Sequence, residues 1–495
     1  MALSDLFRRK PKPVTDPRMI DRAMSRAFAA AQLSRLTDSW RATQADIVEE
    51  LRGDLDRLRQ RARNLENDND FALRYLEMCE TNIVGDTGPR LVSLVENRPG
   101  ESDQLAREAI EAAWARFGKR GVCEVSGDYS LIELMWNIAR GTARDGEYLV
   151  FEEYGKAAGN EFDYALRAVD VEAIATWHNR PKAAGVNAIK LGIEKDAMGR
   201  TVAVWFASGA TGARTATRVD ASNIIHRFKS RRGGQTRGIP WMHAAMLSMH
   251  FAGEFALSAL LAAKQGADHL GFFVTDDGQA PQMPGDEQAD GSKFSTSAPG
   301  TWDTLPVGTT VTSVDSKYPN EVFDPFMKSA HRRMASGLNV SYPALCNDHA
   351  DLNYNSIRAT QNDDRDQWRR HQRWFEEAWL EVLFSHWLTA ALGRGAIKLP
   401  NGSPLPIQKA DKFAAHAWQH RGWQSNDPLK EINAASAAFK EGVDSRTAWA
   451  ARNGRDIEDV FSELENEARL AAKRNITLGD AVAAAPAPAD PIVPA

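Results

Sequence analysis

Cysteine is scarce in this 495-residue chain. The three residues Cys79, Cys123 and Cys346 are odd in number, far apart and never in a CxxC pair, which excludes a disulfide framework and a structural zinc site. Buried thiols are the expectation. Also missing are the GxxxxGK[ST] phosphate loop, HExxH, the GxSxG elbow and GxGxxG, so the enzyme classes that carry them lose their signature. No cofactor and no metal is expected. No window reads as approaching the ~18 to 20 apolar residues that span a bilayer. The start, MALSDLFRRKPKPVTDP, has basic residues without the apolar run of a secretory signal. These absences predict a soluble, cytoplasmic chain with no membrane partner. A basic excess is lacking too: 61 Lys and Arg against 66 Asp and Glu give a net charge of −5. That argues against gripping DNA by neutralising many phosphates, though not against letting DNA slide past.

What is present is length enough for several packed units, with 43% hydrophobic and 26% charged residues. Residues 1 to 59 read as an arm, partly disordered, ending in a charge-dense helical stretch. Helices are expected over Asp70 to Val84, Ser102 to Phe117 and Ser130 to Arg144, the last with Ser130 as its cap. Strands are expected at Glu147 to Glu152, Tyr164 to Val169, Ala188 to Ile193, Thr201 to Phe206 and Asn223 to Phe228. Together they make 60 to 239 an α+β unit.

Pro240 then opens a long helix, Trp241 to Lys264, with Met242, Met246, Met249, Gly253, Leu257 and Leu260 on one face. A rod of about 37 Å follows from its length. Residues 266 to 322 read as an excursion with two strands, Gly271 to Thr275 and Thr309 to Val314, around a Gly/Pro/Ser-rich tip at 276 to 300. A second, shorter rod occupies 323 to 338, a polar Asn-rich loop 339 to 355, and the longest helix Ser356 to Leu392, within 356 to 395. Its stripe of Trp368, Phe375, Trp379, Leu383 and Trp387 reads as core rather than a stacking platform. Further helices fill 396 to 475, and 476 to 495 (ending AVAAAPAPADPIVPA) reads as a disordered tail.

Three groups of residues invite a functional reading. Lys328, His331, Arg332 and Arg333 put four cationic groups on about two helical turns. They suit either a non-specific bearing for DNA phosphates or a solvated or intersubunit face. Cys346, Asp348, His349 and Asp351 offer sulfur, oxygen and nitrogen in one loop, but match no metal template, and a solvated polar loop is the plainer reading. Arg231, Arg232 and Arg237, beside three glycines, could bind an anion or pair with acidic neighbours.

The order of elements and four strings resemble the portal proteins of tailed phages, in particular the lambda-type portal family. The strings are NDNDFALRYLEMCETNIVG (67 to 85), HRFKSRRGGQTRGIP (226 to 240), GLNVSYPAL (337 to 345) with LNYNSIRAT (352 to 360), and DPLKE (427 to 431). The resemblance implies an α+β portal-type subunit with a wing (60 to 239), two stem helices (240 to 265 and 323 to 338), a clip (266 to 322), a tunnel loop (339 to 355), a long wing-to-crown helix (356 to 395) and a crown (396 to 475). It further implies a ring, usually of twelve subunits, at one capsid vertex. Double-stranded DNA would pass through it during packaging and ejection. The implied partners are the large terminase subunit, which carries the ATPase, capsid and scaffold proteins, and head-tail adaptor proteins. The chain itself would be no enzyme. The implied places are the virion and, during assembly, the host cytoplasm. Channel-lining residues are expected to be Lys328, His331 and Arg332 in the stem, and Asn347, Asp348, His349, Asp351 and Asn353 in the tunnel loop. The rival readings are another virion assembly protein, adaptor or scaffold-like, and a metal-dependent DNA-processing enzyme.

Overall fold

The computed structural model describes residues 45–99, 101–208, 215–268, 272–275, 286–287, 293–294, 309–312, 321–350, 353–423, 427–453 and 455–474. The expected arm before residue 45, the tip of the excursion apart from two short strands, Asp351 and the tail fall outside them.

Helices α1 (Ile47–Arg52) and α2 (Leu55–Asp68) come first, and residue 59, the expected edge of the arm, lies inside α2. Ile47, Val48, Leu51 and Leu55 form a small core with Leu191, so this part is docked on the body. Helix α3 (Asp70–Cys79) is capped by Asn69 and widens into a π-turn, Glu80–Val84, stopped at Gly85 with φ of 86°. Strands β1 (Arg90–Ser93), β2 (Glu96–Arg98) and β3 (Glu101–Ser102) precede α4 (Gln104–Phe117) and α5 (Leu131–Asp145). Ser130 closes a full capping box with Glu133, as its position suggested.

The strands β4 (Glu147–Tyr154), β5 (Tyr164–Val169), β6 (Ala188–Lys190), β7 (Ile193–Lys195), β8 (Thr201–Ser208), β9 (Thr215–Asp220) and β10 (Ile224–Phe228) form two antiparallel sheets, ordered β10-β4-β5 and β6-β7-β8-β9. The expected strand Ala188 to Ile193 is split by Leu191 and Gly192, both at positive φ, which turn the chain into a β6-β7 hairpin.

The first rod is a 3-10 turn, Trp241–Ala244, followed by α6 (Met246–Asp268). Strands β11 (Phe272–Thr275) and β14 (Thr309–Thr312) pair antiparallel, Phe272 opposite Thr312, with a two-residue pair β12 (Asp286–Glu287) and β13 (Lys293–Phe294) between them in sequence. The second rod is α7 (Phe323–Leu338). The polar segment after it is not wholly loop: Ser341 caps a short helix, α8 (Tyr342–Cys346). The long helix starts at Tyr354 and comes in two parts, α9 (Tyr354–Phe375) and α10 (Glu381–Arg394), joined by a π-turn at Glu376–Leu380. After α11 (Ala410–Phe413), β15 (His416–Gln419) pairs antiparallel with β1, Gln419 opposite Arg90. Helices α12 (Pro428–Lys440), α13 (Arg446–Arg452) and α14 (Ile457–Arg474) follow. The fold is α+β.

The expected aromatic stripe of the long helix is buried throughout. Trp387 lies 4.9 Å, ring to ring, from Trp114 and 5.8 Å from both Phe117 and Phe162, in edge and tilted contacts that add to the burial itself. One expectation fails. The span Met246–Lys264, 19 residues of mean hydropathy 1.4, is long and apolar enough to cross a bilayer by length and composition, and only 11% of it is buried within the chain. Dispersed Ala, Ser and Gly hid the apolar total from a reading that looked for an unbroken run.

Candidate functional site: the rods and the segment between them

The two rods touch at both ends of their contact. Phe255 of α6 lies 6.0 Å from Phe323 and 5.2 Å from Phe326 of α7. At the other end Gly337 comes so close that a Cβ there would sit 3.1 Å from Ala245 Cβ. Met242, Met246 and Met249 are buried, as are Met327, Met334 and Leu338. Farther along α6 the expected apolar face does not meet the body: Leu257 is 58% and Leu260 66% exposed, beside Leu247, Phe251 and Leu261. So large a bare apolar surface marks an interaction surface.

The cationic group on α7 lies along the segment that follows it. Lys328 pairs with Asp324 at 3.3 Å and stands 4.0 Å from Asp348. Arg332 lies over the Tyr342 ring at 5.5 Å. His331 leans on Phe71 of α3 at 4.6 Å, and burial lowers its pKa. Arg333 is exposed.

Residues 339 to 350 are anchored on three sides. The Asp364 carboxylate of α9 accepts the Ser341 amide at 2.9 Å and the Ser341 hydroxyl, while that hydroxyl also caps α8. Arg74 donates to Asn347, which ends α8 in the left-handed conformation at φ 53°. Tyr342 donates to Asp348 at 2.6 Å and the Ala350 amide donates at 3.1 Å, which together with nearby Lys328 hold the Asp348 carboxyl below its ordinary pKa. His349 is exposed, and Asn353 caps α9 by accepting the Ser356 amide at 2.9 Å. Burial pushes the half-buried Cys346 thiol up to about 11. Among the described residues no three His, Cys, Asp or Glu side chains are grouped to hold a metal ion.

Sequence reasoning therefore missed Arg74, Tyr342 and Asp364. The cap Ser341 followed by Pro343 in the first turn was the available signal for α8. In the arginine loop, Arg232 pairs with Glu50 and Arg237 is fully buried against Glu147, so acidic partners account for both; Arg231 meets His243 at 2.8 Å.

A family model described as phage portal protein, lambda family, matches residues 33–372. The chain belongs to that family. The match takes in both rods, the segment after them and most of α9, and stops short of β15 and α12 to α14. The chain is 29% identical over 470 residues to the probable portal protein of Halomonas phage phiHAP-1, across 92% of this chain and 89% of that one. It is 22% identical over 487 residues to portal protein B of Escherichia phage lambda, across 87% and 86%. A chain in the neck of an empty gene transfer agent particle, computed with C6 symmetry, aligns over 80% of this portal chain and 93% of its own length, at 13% identity and a TM-score of 0.44.

Proposed function

We propose that the chain is the subunit of a portal ring, usually of twelve copies, set at one capsid vertex as the conduit for double-stranded DNA in packaging and ejection. The observation that carries the reading is the portal-family match across both rods, joined to an α6 whose outer half is apolar and bare. Neighbouring copies in a ring cover that face, which gives a span of bilayer length a protein partner rather than a lipid one. The large terminase subunit docks on the 266 to 322 excursion and supplies the ATPase, while capsid, scaffold and head-tail adaptor proteins engage other surfaces. The subunit contributes structure and no catalysis. It assembles in the host cytoplasm and ends in the virion.

Lys328 and Arg332, one turn apart on α7, face the channel with His331 behind them against Phe71. Asn347, Asp348 and His349 lie at its narrowest part, and Asp351 and Asn353 continue the tunnel segment. Phosphate contact of this kind carries no sequence information, as a conduit for every sequence requires. Negative-stain microscopy of the purified protein tests the reading: rings with a central hole are expected, and a compact monomer refutes it. A ring structure with Lys328 and Arg332 both pointing outward refutes the channel assignment alone. Loss of packaging or DNA retention on deleting 346 to 350 is expected; metal-dependent DNA cleavage by the purified chain would favour the enzyme rival.

A further inference from the structure

The long helix is interrupted where three parts of the molecule meet it. Its second half, α10, is fixed in the body: Leu383, Phe384, Trp387, Leu388, Ala391 and Leu392 are all buried. Its first half, α9, reaches out to the tunnel segment and holds it through the two Asp364–Ser341 hydrogen bonds. Between them the Glu381 amide donates to the Glu376 carbonyl, the wider i to i+5 spacing of a π-turn. A single π-turn holds one residue more than the α-helix it interrupts, and such turns gather at functional sites.

Two side chains from elsewhere grip this turn. Arg227, on β10, donates from Nε to the Ala378 carbonyl at 3.0 Å. His420, just after β15, meets Glu376 at 3.0 Å. On β10 the neighbour of Arg227, His226, contacts the fully buried Glu147 at 3.0 Å on the opposite side of the strand. Strand β10, which leads through residues 229–240 to the first rod, is thus pinned to the sheet by one residue and to the π-turn by the next.

We propose that the π-turn at Glu376–Leu380 is a two-state joint in the long helix, that Arg227 holds it in its π form, and that its state sets how firmly Asp364 keeps α8 against the body. When the Arg227 contact breaks, the surplus residue can move along the helix and α9 shifts relative to α10, carrying Asp364 away from Ser341. Calling 339 to 350 the tunnel segment rests on the portal reading; the joint does not, and it can be tested without DNA or rings.

Cys346 is the natural probe, because it ends α8 and is half-buried while Cys79 and Cys123 are fully buried. The measurement is the rate of maleimide labelling of each thiol in the full chain. Arg227→Met is expected to raise Cys346 labelling about tenfold, the scale of a modest local opening, with Cys79 and Cys123 still protected. Deleting Ala378 in the same chain removes the surplus residue and leaves an unbroken α-helix with its halves in phase, so labelling returns to within about twofold of the native rate. Asp364→Asn raises labelling too, and the deletion does not restore it, because that break lies beyond the joint. The proposal is overturned if Arg227→Met or Asp364→Asn leaves Cys346 at the native rate, or if the deletion fails to reverse Arg227→Met. Should Arg227→Met also expose Cys79, the Ala378 deletion alone decides: slower Cys346 labelling than native supports the joint, and an equal or faster rate refutes it.

Discussion

The Tyr342 hydroxyl donates to Asp348 Oδ2 at 2.6 Å, and the Lys328 ammonium lies 4.0 Å from that same oxygen. Tyr342 thereby fixes a carboxylate beside a cation assigned to the channel wall. In the proposed channel, Asp348 would compete with a DNA phosphate for Lys328.

Removing that carboxylate should make the conduit grip. For Asp348→Asn, DNA binding by the assembled protein is expected to tighten at low salt and to fall more steeply with salt, because one carboxylate that competes with phosphate and repels it is removed. Titrations between about 50 and 200 mM salt decide it, and an unchanged slope removes Asp348 from this role.

Glu147 is the most heavily partnered buried carboxylate among the described residues. It is wholly buried and receives Arg59, Arg237 Nε at 2.8 Å, His226 at 3.0 Å and the Gly238 amide at 2.8 Å. Glu147→Ala leaves two buried guanidinium groups short of their partner and should cost about 3 to 5 kcal/mol in urea unfolding, or prevent folding. Breaking the exposed Arg52–Glu49 pair by Glu49→Ala should barely move the same curve.

The pairing of His386 with Glu152 has a pH signature. The hydrogen bond to this buried carboxylate, at 2.6 Å, raises the histidine pKa above its ordinary value. A raised folded pKa gives stability that is complete below about pH 6.5 and is lost as pH rises through the folded value. The difference in urea midpoint between the native chain and His386→Gln should therefore be larger at pH 6 than at pH 9. An equal difference at both would separate His386 from Glu152.

Leu260 tests the outer face of α6. At 66% exposed it contributes little to the single chain, so Leu260→Glu should shift monomer stability by no more than about 0.5 kcal/mol. Ring formation, followed by sedimentation and negative-stain microscopy, should be lost.

Much of the fold was legible because local signals agreed with the tertiary result. Ser130 announced α5, the aromatic and β-branched residues from Tyr164 to Val169 matched β5 to the residue, and Gly/Pro punctuation separated rods from excursion. Strands β1 and β15 were invisible since each is four residues long and its partner lies at the far end of the chain. Arg59 sat in a charge-dense helical stretch that gave no sign of its burial, because its partner Glu147 is 88 residues away. The site was half legible. Lys328, Arg332 and Asp348, singled out from charge and position, do lie together, whereas Arg74 and Asp364 act from other helices through contacts that no local pattern encodes. The π-turn left no local mark either, since neither Pro nor Gly interrupts the helix there.

The pairing of β15 with β1 also governs the order in which the molecule can be finished. Trp418 on β15 reaches Trp114 at 5.7 Å and Phe384 at 6.1 Å, so the last strand supplies part of the wall of a core made mostly from earlier residues. During synthesis from the N-terminus, that core stays open on one side until the ribosome has released residue 419. A nascent or prematurely ended chain presents the β1 edge and these rings to other chains. A subunit with this wall in place exists only once residue 419 has emerged.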